Sequence, residues 1–224
     1  MIKIIICADG LYDTGRIQAV CHIVCAGEYS GPIAGLRAGD FVIAADGGLN
    51  HLLNMRVQPD LLIGDFDSLG FEPEGFEIIR LNKEKDDTDT MAAVRIGLDK
   101  GFRVFYLHCG MGGRLDHTLA NIQTLAFILQ SGGMGMLFGK REAAVLVNGD
   151  VKFCSALSGY ISIFAYSAEA GGVSITGLKY ELKNAVLSSA FPIGVSNEFM
   201  GVESRVSVQN GSLVIIYERK IGSS

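Results

Sequence analysis

The chain changes texture near residue 139, and that change constrains the fold more than any other feature of the sequence. Before it, short continuous apolar runs alternate with longer segments of helical period. The runs are residues 3–7, 22–25, 41–44, 61–63, 77–81, 103–108 and 134–138, most of them rich in Ile, Val and Phe. A strand that is apolar on both sides needs cover on both faces, and helices packed on a parallel sheet supply it. Residues 88–100 place Met91, Ala93, Val94 and Leu98 at helical spacings, and Gly101 follows as a stop. Residues 116–130 form a second helical segment with a stripe of Leu115, Leu119, Ile122 and Ala126, ended by Gly132-Gly133. A shorter helix is expected over 47–54. Strands alternating with helices imply a parallel α/β sheet.

After residue 139 the helical period disappears. Short runs recur at 143–147, 151–154, 160–166, 173–176, 185–187, 202–208 and 213–217. Asn148-Gly149, Gly171-Gly172, Lys183-Asn184 and Asn210-Gly211 punctuate them. Asn-Gly between alternating runs is a strong hairpin signal. The expectation is an N-terminal parallel α/β domain over 1–139 and a C-terminal antiparallel β-sandwich domain over 140–224, joined by a polar link at 139–142.

Charge narrows the function. The net charge is −5 and no basic run occurs, which argues against nucleic acid or an anionic membrane as partner. No apolar stretch reaches the roughly 18 residues of a membrane span. The opening apolar run is interrupted by Asp9-Gly10, so it reads as a first strand and not as a signal peptide. The five cysteines are Cys7, Cys21, Cys25, Cys109 and Cys154, with no Cys-x-x-Cys, and four lie in apolar strand-like runs. Buried thiols of a cytoplasmic protein are expected, and Cys21, His22 and Cys25 read as strand residues and not as a zinc site.

In an open parallel sheet, ligands bind beyond the carboxyl ends of the strands, so the residues after each strand belong together. After 41–44 comes Ala45-Asp46-Gly47-Gly48, and after 61–63 comes Gly64-Asp65-Phe66-Asp67-Ser68. After 77–81 comes Lys83-Glu84-Lys85-Asp86-Asp87-Thr88-Asp89, and after 103–108 comes Gly110-Met111-Gly112-Gly113-Arg114-Leu115-Asp116-His117. Every one of these loops carries aspartate. Asp65 and Asp67 are two apart, so in extended chain both carboxylates aim the same way. Asp46 and Asp89 arrive from neighbouring loops, although each also precedes a helix and suits an N-cap. Converging carboxylates repel, and a divalent cation with oxygen ligands compensates; Mg²⁺ suits carboxylates together with phosphate oxygens. The glycines before Arg114 lead from strand to helix and expose backbone N–H groups to an anion. They fit neither the P-loop pattern nor Gly-x-Gly-x-x-Gly. Arg114 offers a planar fork to phosphate and Lys85 a point charge.

These residues, in this order and at these separations, resemble the thiamine pyrophosphokinases. The resemblance is carried by Ala45-Asp46-Gly47-Gly48, by the run from Pro59 to Ser68, by Lys85-Asp86-Asp87-Thr88-Asp89 and by Gly112-Gly113-Arg114-Leu115-Asp116-His117. It continues into Pro192-Ile193-Gly194-Val195-Ser196-Asn197-Glu198-Phe199 and covers about residues 21–217. It implies an α/β catalytic domain, a thiamine-binding β-sandwich, and a cytoplasmic homodimer whose active sites lie between subunits. It implies transfer of a diphosphate group from ATP to the thiamine hydroxyl. Asp46, Asp65, Asp67 and Asp89 would hold or surround Mg²⁺, with Asp67 or Asp89 accepting the hydroxyl proton. Lys85, Asp87, Gly112, Gly113, Arg114 and Asp116 would meet the ATP side, with Lys85 and Arg114 stabilising the bridging and leaving oxygens. Ser196 and Asn197 would meet thiamine. The same acidic set would also serve a pyrophosphokinase acting on a hydroxymethylpterin, a metal-dependent phosphohydrolase, or a non-catalytic sensor of a nucleotide or thiamine diphosphate.

Overall fold

A computed structural model describes residues 4–7, 10–13, 19–65, 75–81 and 87–219. The chain opens with β1 (Ile4–Cys7) and β2 (Gly10–Asp13). An α/β stretch follows: β3 (Val20–Val24), β4 (Phe41–Ala45), α1 (Gly48–Met55), β5 (Leu61–Gly64), β6 (Ile78–Arg80), α2 (Asp89–Asp99), β7 (Val104–His108), α3 (Leu115–Gln130) and β8 (Met134–Phe138). Strands alone follow: β9 (Glu142–Val147), β10 (Asp150–Phe153), β11 (Tyr160–Ala165), β12 (Glu169–Thr176), β13 (Leu182–Ser188), β14 (Asn197–Glu198), β15 (Ser204–Ser207) and β16 (Leu213–Glu218). The described chain divides into two compact units, one formed by β3 to β8 with the three helices, the other by β1, β2 and β9 to β16.

In the α/β unit all ladders are parallel, in the order β8-β7-β3-β4-β5-β6. The apolar runs are buried because helices cover them: every residue of β3 is buried, and Ile23, Ile43, Leu62 and Leu107 are fully inaccessible. The chain enters this sheet at β3, builds β4, β5 and β6 on one side, and returns to build β7 and β8 on the other. The loops leaving β3 and β7 therefore diverge, and the crevice between them is where such a sheet receives a ligand. One polar seam crosses this core. His22 Nε2 lies 3.2 Å from Asp40 Oδ2, and His22 Nδ1 lies 3.1 Å from His108 Nε2. Burial lowers the His22 pKa, with Asp40 opposing.

Helix α2 starts where Thr88 Oγ1 accepts the Met91 amide at 3.2 Å, a cap that contributes about 1 kcal/mol. Helix α3 buries only part of the expected stripe. Leu115 and Leu119 are 81% and 57% exposed, whereas Ala126 is buried together with Asn121, Thr124, Leu125 and Ile128. The buried Asn121 is satisfied by a polar contact: its Nδ2 donates to the Gly110 carbonyl at 2.8 Å.

The β unit holds two sheets. One runs β14-β11-β16-β9 and is antiparallel throughout. The other runs β13-β12-β15-β10-β1-β2, in which only β1 and β10 are parallel. Alternation directs Ile161, Ile163 and Ala165 of β11 inward, and Phe153 and Tyr217, one from each sheet, meet with ring centroids 5.7 Å apart. The first apolar run does form a strand, but it does not join the α/β half in which the sequence reading placed it. Ile4, Ile5 and Ile6 pair with Val151, Lys152 and Phe153. Four apolar residues satisfy either sheet, so pattern alone does not assign them. The two-residue β14 and the strand at Gly10–Asp13 were not expected from the pattern.

Candidate active site

Loops at the carboxyl edge of the parallel sheet enclose a cleft of about 530 Å³ within the α/β unit. The β3 loop brings Cys25 and Gly27, the β4 loop brings Asp46, the start of α2 brings Asp87, Thr88 and Asp89, and the β7–α3 loop brings Gly110, Gly112, Gly113, Arg114 and His117.

The acidic loops meet through backbone contacts. Asp46 has a left-handed backbone, φ 48°, and its amide donates to the Ile63 carbonyl at 2.8 Å. That bond ties the end of β4 to the end of β5. Gly64 stands next to it with φ 148°, and a Cβ there would sit 3.1 Å from Asp46 Cα. Only glycine lets the two loops approach this closely, and Asp65 follows immediately. Burial, then the Asp46 carboxylate and then the Asp65 carboxylate raise the Asp89 pKa above its ordinary value, with His117 opposing. Asp89 therefore feels carboxylates from two other loops. Asp87 is tied into α2, where it accepts a hydrogen bond from Arg95 Nε at 2.8 Å.

The same cleft is lined by a glycine-rich loop that leads into a helix. Gly112 and Gly113 both have left-handed backbones, φ 83° and 70°, and run directly into α3. The N-cap residue of α3, Arg114, makes no side-chain cap, and helix starts of this kind favour anions. Arg114 and Asp116 form an exposed bidentate pair, Nε to Oδ1 at 3.1 Å and Nη2 to Oδ2 at 2.5 Å. That pairing holds the Asp116 carboxyl below its ordinary pKa. The loop is held from beneath. Cys109 is left-handed, φ 54°, and its amide donates to the buried Ser30 Oγ at 3.0 Å.

Among the described residues no group of three or more His, Cys, Asp or Glu side chains is close enough to form a ready-made metal cage. Mg²⁺ does not need one, since it is normally held by one or two carboxylates and completed by water and substrate phosphates. The all-oxygen donors, and the raised pKa of Asp89 through burial and then through Asp46 and Asp65, fit such an ion. Asp67 and Lys85 lie outside the described residues.

Ser196 and Asn197 belong to the β unit. Ser196 has φ 59°, and its amide donates to Ser162 Oγ at 3.1 Å. Asn197 is buried, and its carboxamide is engaged with backbone: Oδ1 accepts from the Tyr180 and Glu198 amides, each at 2.9 Å, and Nδ2 donates to the Tyr180 carbonyl at 2.7 Å. The sequence reading did not select Cys25, Gly27, Ser30 or Asn121. Cys25 and Gly27 follow β3, so the same strand-end rule reaches them. They were missed because that loop carries no aspartate before Asp40.

Comparison with known proteins assigns a family to both units. Residues 36–134 match the family model for the thiamin pyrophosphokinase catalytic domain. Residues 150–215 match that for the thiamin pyrophosphokinase vitamin B1 binding domain. The chain is 28% identical over 184 residues to thiamine pyrophosphokinase of Bacillus subtilis, covering 78% of this chain and 85% of that protein. It is 26% identical over 191 residues to thiamin pyrophosphokinase 1 of Caenorhabditis elegans, covering 77% and 76%. The fold superposes on a crystal structure of the Bacillus subtilis thiamine pyrophosphokinase with TM-score 0.82 at 24% identity, covering 90% of this chain and all of that one. It also superposes on thiamin pyrophosphokinase from Candida albicans with TM-score 0.78 at 16% identity, covering 97% and 93%. With Asp46, Asp65, Asp89 and the glycine-rich loop inside the catalytic-domain match and β10 to β15 inside the vitamin-binding match, the chain belongs to the thiamin pyrophosphokinase family.

Proposed function

We propose that the chain transfers the diphosphate group of ATP to the hydroxyl of thiamine, giving thiamine diphosphate and AMP, with the α/β unit as catalytic domain and the β unit as thiamine-binding domain. The observation that carries this reading is the placement of acidic loops and a glycine-rich helix start around one cleft. Diphosphoryl transfer depends on charge neutralisation and in-line positioning more than on covalent help from the protein. The thiamine hydroxyl oxygen attacks the β-phosphorus, the bond from that phosphorus to the α–β bridging oxygen breaks, and AMP leaves with that oxygen. Asp46, Asp65, Asp67 and Asp89 would hold Mg²⁺, which when bound supplies positive charge to the phosphate oxygens. The amides of Gly112 and Gly113, the Arg114 guanidinium and Lys85 receive phosphate oxygens and offset the charge that builds on the leaving group. Asp116 presents Arg114, and Asp87 steadies the start of α2. Asp67 or Asp89 accepts the hydroxyl proton. Ser196 contacts thiamine. The internal bonds of Asn197 make it the residue that shapes that contact.

The working form is a cytoplasmic homodimer with active sites between subunits. Supporting this are apolar side chains left on the surface of each unit, Leu115 and Leu119 on α3, and Phe191, Ile193 and Val195 in the β unit. The partners are small molecules: the described residues contain no helix long and apolar enough to cross a membrane, and the net charge of −5 disfavours nucleic acid. The test is AMP release from ATP and Mg²⁺ with and without thiamine. Thiamine-dependent AMP supports the reading. Inorganic phosphate release without thiamine, or binding without turnover, replaces it with a hydrolase or a sensor.

A further inference from the structure

We propose that Cys7 and Cys154 are a redox-responsive pair that closes a reversible disulfide between β1 and β10. The parallel register aligns Ile4 with Val151, Ile5 with Lys152 and Ile6 with Phe153. The Cys154 amide donates to the Ile6 carbonyl at 2.9 Å, so the register continued by one residue aligns Cys7 with Cys154. Neighbouring strands lie about 4.8 Å apart. That falls inside the roughly 4.4–6.8 Å between Cα atoms that a disulfide spans. Side chains in register point to the same face of a sheet, and successive ones alternate. Ile6 and Phe153 are fully buried in the sandwich, so Cys7 and Cys154 face outward together, and both are partly accessible. The other three cysteines are buried, and burial pushes the Cys21 and Cys25 thiols up to about 12, which leaves them poor nucleophiles.

The oxidant is a low-molecular-weight disulfide. One protein thiolate attacks it, giving a mixed disulfide and releasing one small thiol. The second thiolate attacks the protein sulfur of that mixed disulfide, the Cys7–Cys154 bond forms, and the second small thiol leaves. Two protein thiols are oxidised and one small disulfide is reduced to two thiols. The consequence is a covalent hold on the short first strand, whose partner strand lies more than 140 residues further along the chain. Closing so long a loop restricts the unfolded chain and raises stability.

The experiment treats the full chain with oxidised glutathione and then with dithiothreitol. The expected result is a mass lower by two hydrogens, with the five thiols of the sequence reduced by two under denaturing conditions. Peptide mapping then joins Cys7 to Cys154, and the melting temperature rises on oxidation and returns on reduction. Cys154→Ser and Cys7→Ser each abolish the cross-link and the thermal shift. A stable glutathione adduct without a cross-link, a bond between other cysteines or between chains, or retention of all thiols overturns the proposal.

Discussion

Ser30→Ala tests how the anion loop is held. Ser30 is fully buried, its Oγ accepts the Cys109 amide at 3.0 Å, and it lies 3.4 Å from Cys109 Sγ. Cys109 is a non-glycine residue in the left-handed region, directly before the segment that carries Gly110, Gly112 and Gly113. Removing the hydroxyl deprives a buried N–H of this acceptor and releases the strained residue it restrains. Leaving a buried donor without its partner costs about 1–3 kcal/mol. For a chain of this size that corresponds to a fall in melting temperature of roughly 2–12 °C. The loop would then have to be reordered when nucleotide binds. If about 1 kcal/mol of the cost reappears there, the KM for ATP rises about fivefold while the KM for thiamine stays near its wild-type value. Calorimetry and steady-state AMP kinetics read both quantities. An unchanged melting temperature together with an unchanged KM for ATP would refute the claim that Ser30 sets this loop.

Three further outcomes follow from the same geometry. Asp89→Asn should abolish turnover yet leave the ligand-free protein no less stable at neutral pH. The folded-state pKa of Asp89 is raised, so its ionised form weakens the fold once pH exceeds the ordinary carboxylate value, and the variant's advantage should vanish on acidification; urea melts at neutral and acid pH check this. Gly64→Ala places a Cβ against Asp46 at positive φ, costing about 1–3 kcal/mol, and should lower kcat by at least about tenfold because it parts two acidic loops. Arg114→Gln removes one partner of a solvent-exposed pair, so it should leave urea stability nearly unchanged while raising the KM for ATP.

The α/β half was legible because its strands are buried on both faces. Phe41–Ala45 and Val104–His108 read as continuous apolar runs, and glycine or aspartate follows where the chain turns. The acidic residues were legible by position, since a strand end in a parallel sheet is also the ligand edge. What the pattern missed was set by tertiary contacts. The burial of Asn121 on α3 comes with its bond to the Gly110 carbonyl, and a hydrophobic stripe carries no trace of such a bond. The allegiance of β1 depends on pairing with β10, more than 140 residues away. The internal role of Asn197 depends on Tyr180, which no motif connects to it.

The central claim is that carboxylates from separate loops receive nucleotide only through a shared cation. Asp46→Asn tests it with little disturbance, because asparagine tolerates the left-handed backbone that Asp46 adopts. The measurement is calorimetric binding of a non-hydrolysable ATP analogue to the wild type and to this variant, with and without Mg²⁺. Tight binding by the wild type only when Mg²⁺ is present, and loss of at least about tenfold in the variant, about 1.4 kcal/mol, is the predicted result. Equal affinity with and without the metal, or an undiminished variant, would contradict the account.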